Sequence, residues 1–157
     1  MSYYDRKNTI LKDGSRSFKV NQDTVNEIDA MARIEDKFNC KCKTPVNTYA
    51  KIDFICIRGN LIVSAGELKS RDIAIDEHED VYLNLRKWNA FKYLKKILMA
   101  PIIYYVRFKC GTIKYIEFDD IDPTKIKKNA GCNRVVKSVK NDQEDCILVP
   151  ISTMKTL

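Results

Sequence analysis

A chain of 157 residues can bury one hydrophobic core and has little length left for a second, so one compact domain is the default reading. Hydrophobic residues at 45% and charged residues at 31% exclude the disordered and membrane classes, and the longest apolar run, Leu98 to Val106, is too short to cross a bilayer. The net charge of +7 favours a polyanionic partner.

The first twenty residues read as an irregular arm, which leaves residues 21–157 for the domain. No apolar secretory segment occurs in that arm, and the chain is expected to work in the cytoplasm, that of a host cell if it is viral. In such a reducing compartment the six cysteines read as free thiols. Cys40-x-Cys42 is their one close pair, and it lacks the C-x2-C spacing of a structural zinc site.

From Asp23 to Phe38, Val25, Ile28, Met31, Ile34 and Phe38 recur at helical spacing, with Asn21, Asp23 or Thr24 available as the N-cap. Tyr49 to Ile57 is rich in β-branched and aromatic residues. It leads through Arg58-Gly59-Asn60, a hairpin signal, into a second strand from Leu61 to Lys69. The polar stretch from Ser70 to Asp80 reads as a loop, and Leu83 to Met99 as a helix with Leu85, Trp88, Phe91, Leu94 and Leu98 on one side. Pro101 closes that helix. Strands follow at Ile102 to Phe108 and Thr112 to Phe118, joined at Cys110-Gly111, and a last one at Cys146 to Ile151. Between them, Lys125, Lys127, Lys128, Arg134, Lys137 and Lys140 occupy a stretch without acids, which reads either as a solvated loop or as a loop that tracks phosphates. The order of elements fits an α/β or α+β domain whose mixed central sheet is flanked by helices.

The chemistry concentrates on the first hairpin. Asp53 stands among Ile52, Phe54 and Ile55, where an unpaired carboxylate is costly to desolvate. After thirteen intervening residues come Glu67-Leu68-Lys69. A side-chain period of two puts Glu67 and Lys69 on one face, and the hairpin can bring Asp53 beside them. Two carboxylates facing one point suit Mg²⁺ or Mn²⁺, hard cations that activate water and offset charge on a phosphate, while Lys69 can orient the attacking water or stabilise the crowded phosphorus.

Asp, then E-x-K on the following strand, resembles the signature of the PD-(D/E)XK nuclease superfamily, with Ile52 where the motif often has proline. The resemblance implies a restriction-endonuclease-like core of helix, three-stranded meander, helix and further strand, and hydrolysis of DNA. It also implies a further acid on the first helix. Glu27 and Glu35 both fall on the apolar side of that helix, and Glu27, in its first turn, is the preferred one. Leu83 to Phe91 looks like the Lys-aromatic helix of small phage-borne members, which makes Lys87 a candidate phosphate contact and Trp88 a core anchor. The tail from Asp142 to Leu157 is similar to the ending of the same nucleases.

The sequence thus predicts a phage-type, metal-dependent DNA endonuclease, with cleavage of the homing or restriction kind. Asp53, Glu67, Lys69 and Glu27 form its catalytic group, and Asp53 and Glu67 hold the metal. Lys87, Lys127, Lys128, Arg134 and Lys137 are the candidate DNA contacts. A structure-specific nuclease, such as a Holliday junction resolvase, is the alternative on the same core, and a non-catalytic DNA-binding module is the alternative outside enzymes. A symmetric homodimer is expected if both strands are cut. The single histidine, His78, lies in an acidic loop and reads as solvated.

Overall fold

The computed structural model describes residues 21–45, 51–131 and 143–157. The arm expected over residues 1–20 lies outside these, as do Arg134 and Lys137. Helix α1 (Asn21–Phe38) is followed by β1 (Lys41–Lys43), β2 (Phe54–Arg58), β3 (Leu61–Ser70), β4 (Asp80–Asn84), α2 (Leu85–Leu98), β5 (Ile102–Arg107), β6 (Ile113–Glu117), β7 (Ile126–Gly131), β8 (Gln143–Pro150) and β9 (Lys155–Thr156).

A six-stranded sheet runs in the order β1-β2-β3-β5-β6-β9, and a three-stranded sheet in the order β4-β8-β7. In the large sheet β3 and β5 are parallel, reached through β4 and α2, and the other pairs are antiparallel. The sheet is mixed and the fold α+β, as expected. Alternation along the central strands divides the core in two. Ala30 and Ile34 of α1 pack with Phe54, Cys56, Leu68, Ile103 and Tyr105 on one face. On the other, Phe91 of α2 and the small sheet pack on Ala65, Ile102, Tyr104 and Val106. Trp88 stacks on Phe118 with ring centroids 4.0 Å apart, which makes it the core anchor it was expected to be.

Four local expectations are corrected. The N-cap candidates Asn21, Asp23 and Thr24 all lie within α1. Val25 and Ile28, expected in the buried stripe, are 52% and 45% exposed, and α1 instead turns Asn26, Glu27, Ala30 and Ile34 inward. The region before α2 is a strand: Val81 and Leu83 are buried at a spacing of two and pair with β8, and Asn84 ends the strand and caps the helix, accepting from the backbone N–H of Arg86 and Lys87. The basic stretch begins as a strand as well. Lys127 and Lys128 lie on β7, whose pairing with β8 is interrupted by a bulge near Asn129, a residue at φ 50°.

Candidate active site

Asp53 immediately precedes β2, and its backbone is still tied to β3: its N–H donates to the Gly66 carbonyl at 3.0 Å. Since Phe54 pairs with Gly66, Asp53 falls opposite Glu67. Side chains that face each other across an antiparallel ladder share one side of the sheet. The Asp53 carboxylate is fixed by its own hairpin partner, because Oδ2 accepts from the Leu68 N–H at 2.9 Å. Main-chain bonds on both sides of Glu67 therefore hold the two acids together.

Glu67 lies on the central strand β3, beside Tyr104 of β5, and is 9% exposed. Burial, and next the negative charge of Asp53, push its carboxyl up to about 7 from an ordinary 4.5. Lys87, near the start of α2, opposes this. Its Nζ lies 2.9 Å from each carboxylate oxygen of Glu67 and donates to the Lys51 carbonyl at 3.1 Å. Lys69 follows two residues along the same face, is exposed, and adds positive charge near Glu67. The hairpin thus brings Asp53, Glu67 and Lys69 to one place, and α2 adds Lys87, whose expected role was in contacting phosphate.

Of the two helix acids, Glu35 is engaged elsewhere. Its Oε1 accepts from the Cys42 N–H at 2.8 Å and its Oε2 pairs with Lys41, and the Cys42 bond chiefly lowers its pKa. Glu27 is buried on the inward face of α1, and its neighbour Asn26 donates to the Ser70 hydroxyl at 3.3 Å. That contact places the first turns of α1 at the end of β3 that carries Lys69.

Three supporting residues escaped the sequence reading. Gly66 lies beneath the Phe54 ring, and a Cβ there would stand 2.4 Å from two ring carbons, so only glycine lets the hairpin close at this point. An isolated glycine inside a strand pattern was the available signal. Tyr104 and Arg71 both donate to the Tyr82 carbonyl, at 3.0 and 3.1 Å, which ties β4 to the strands that flank the site. Burial pushes the Tyr104 phenol up to about 12, so it stays a neutral donor. Of the basic residues, Lys127 donates to the Tyr82 hydroxyl at 2.9 Å and lies over its ring, while Lys128 is exposed.

The donor set fits a hard cation. The Asp53 charge raises the cost of ionising Glu67, and the Lys87 ammonium offsets it, standing in for positive charge at that carboxylate.

The family model described as "Phage putative PDDEXK endonuclease" matches residues 15–157. Among solved structures, the Hjc Holliday junction resolvase of the archaeal hyperthermophile Archaeoglobus fulgidus shares the fold with a TM-score of 0.56 at 10% identity, over 87% of this chain and 93% of that one. No curated protein matches the chain by sequence.

Proposed function

From the premise that the chain belongs to the phage PDDEXK endonuclease family, we propose that it is a divalent-metal-dependent endodeoxyribonuclease centred on Asp53, Glu67 and Lys69. The observation that carries this reading is the pinning of Asp53 opposite Glu67 by the Gly66 carbonyl and the Leu68 N–H. Asp53 and Glu67 would hold Mg²⁺ or Mn²⁺, which when bound lowers the pKa of a water and offsets charge on the phosphate. Lys69, exposed beside the carboxylates, supplies charge to the phosphate as its bonds rearrange. Lys87 is the phosphate contact nearest the centre, and Glu27 is a supporting acid on α1.

Lys127 and Lys128, together with Arg134 and Lys137 further along the chain, carry DNA backbone contacts in this reading, supported by the uniform sign of that stretch. Residues 21–157 act as one catalytic domain after a short arm. Among the described residues no helix is long and apolar enough to cross a membrane. The proposed setting is the host cytoplasm, and two copies cut the two strands of a duplex.

Site-specific cleavage of the homing or restriction kind is the first reading of specificity. Cleavage of branched DNA is the second, suggested by the resolvase that shares the fold. Supercoiled plasmid, linear duplex, single strand and a four-way junction, each incubated with Mg²⁺, Mn²⁺ or EDTA, separate the two. Metal-dependent cutting is expected, and Asp53→Ala should slow it by roughly 10³ or more, the several kcal/mol that a positioned metal contributes. Cutting that persists in EDTA, or in Asp53→Ala at the wild-type rate, overturns the assignment.

A further inference from the structure

On the opposite face of the hairpin from Glu67, three cysteines converge. Cys40 directly follows the last turn of α1, Cys42 lies on β1 and Cys56 on β2. Cys42 and Cys56 pair across the ladder with sulfurs 3.5 Å apart, and all three sulfurs lie within 4.8 Å of one another. Cys40 and Cys56 are buried, at 7% and 1% exposure, while Cys42 is half-buried and leaves one side of the group toward solvent. The carboxylate site does not use them.

We propose that Cys40, Cys42 and Cys56 form a binding site for a thiophilic cation of the Zn²⁺ type, which fastens the end of α1 to the β1–β2 edge of the sheet. Sulfurs bound to zinc at about 2.3 Å in a tetrahedron stand about 3.8 Å apart, inside the range these three span. A disulfide requires about 2.0 Å between sulfurs, consumes two thiols and leaves the third beside it. Binding therefore needs only small side-chain movements: three S–H bonds break, three S–metal bonds form, and three protons leave to solvent with no change of oxidation state. The fourth position is taken by solvent from the open side of Cys42.

The surroundings suit the added charge. Arg58 donates to the carbonyls of Phe38 and Asn39, next to Cys40, and Lys41 and Lys43 flank Cys42 in sequence. Three thiolates and a dication carry one net negative charge; Lys41 is paired with the Glu35 carboxylate that also meets Cys42, which leaves Arg58 and Lys43 to offset it. Cys42 and Cys56 already stand in sulfur–sulfur contact at 3.5 Å, so the group is assembled by the β1–β2 register itself. Sequence spacing hid this site, because Cys56 joins the C-x-C pair only through the β1–β2 register.

The full-length protein, purified in reductant and then stripped of metal, is titrated with Co²⁺ and separately with Zn²⁺. One equivalent of Co²⁺ should give a thiolate-to-metal charge-transfer band that one equivalent of Zn²⁺ abolishes. The band should be lost in Cys42→Ser and in Cys56→Ser and kept in Cys110→Ser, an exposed cysteine outside the group. Should the serine variants fail to fold, alkylation of the wild type read by peptide mass spectrometry decides. Zn²⁺ should protect Cys40, Cys42 and Cys56 while Cys110 reacts. Absence of the band together with equal alkylation in both conditions overturns the site, and so does a Cys42–Cys56 disulfide in protein isolated without oxidant. These readouts follow sulfur alone, so they stand or fall apart from the nuclease reading.

Discussion

Asp53 and Cys56 are three residues apart on one stretch of backbone and project to opposite faces of the same hairpin. Toward α2 lie Asp53, Glu67 and Lys69, hard oxygen donors and an ammonium set against Tyr104 and the larger core cluster. Toward α1 lie Phe54, Cys56, Leu68 and Tyr105, with thiols that pack almost as hydrocarbon, and Asn26 and Glu27 turn inward from the helix. The carboxylate face carries an electrostatic cost, visible in the raised Glu67 carboxyl and in the lysine that neutralises it. The thiols of the opposite face add little to such a cost, because a neutral thiol is easily buried. The carboxylates proposed for the chemistry sit where they are costly, and the opposite face supplies the packing that holds the hairpin there.

The contrast breaks first at Lys69. Lys69→Ala should lower single-turnover cleavage by on the order of 10² to 10³ with DNA and metal affinity near wild type, the usual loss for one preorganised donor. A Lys69→Ala protein that cuts at the wild-type rate would remove the E-x-K strand from the chemistry and leave Lys87 as the working cation.

The second prediction concerns the cost of Glu67 itself. Its folded pKa of about 7 lies above the ordinary 4.5, so the folded, metal-free chain holds that proton more tightly than the unfolded chain. The associated stability is fully present below about pH 4.5 and is lost as the pH rises through about 7, up to about 3 kcal/mol. Urea unfolding in EDTA at about pH 5 and about pH 8 should show the drop in wild type and a flatter response in Glu67→Gln. Equal slopes in the two proteins would mean that the carboxylate face carries no such cost.

Gly66→Ala should sharpen the comparison, since its Cβ would press on the buried Phe54 ring from within the ladder that also fixes Asp53. We expect a loss of about 1–3 kcal/mol, as for other overpacked cores. Phe54→Leu should recover part of it in a double-mutant cycle. A Gly66→Ala protein with unaltered melting and cleavage would show the two faces to be independent.

What could be read from the sequence follows from which physical signals are local. Period-two alternation put Glu67 and Lys69 on one face, and the Gly59 turn, at φ 60°, set the hairpin that brings Asp53 opposite Glu67. Glu27 and Glu35 were both plausible from helical spacing, and only the position of β1 separates them, because β1 supplies the Cys42 N–H that engages Glu35. Val81 and Leu83 read as the approach to a helix because their partner, β8, lies more than sixty residues away. Val25 and Ile28 misled for the converse reason. Helical periodicity identifies an apolar stripe, whereas the sheet it meets decides which residues are covered, and here it covers Asn26 and Glu27.

The junction at Asn84 has a mechanical consequence. Because β4 becomes α2 with no connecting loop, and the Asn84 side chain caps the first turn of the helix, the end of the strand fixes where the helix starts. Lys127 bonds the Tyr82 hydroxyl within the small sheet, and Lys87, in the first turn of α2, reaches Glu67, so a strand end without a loop sets the place of the ammonium at the acids.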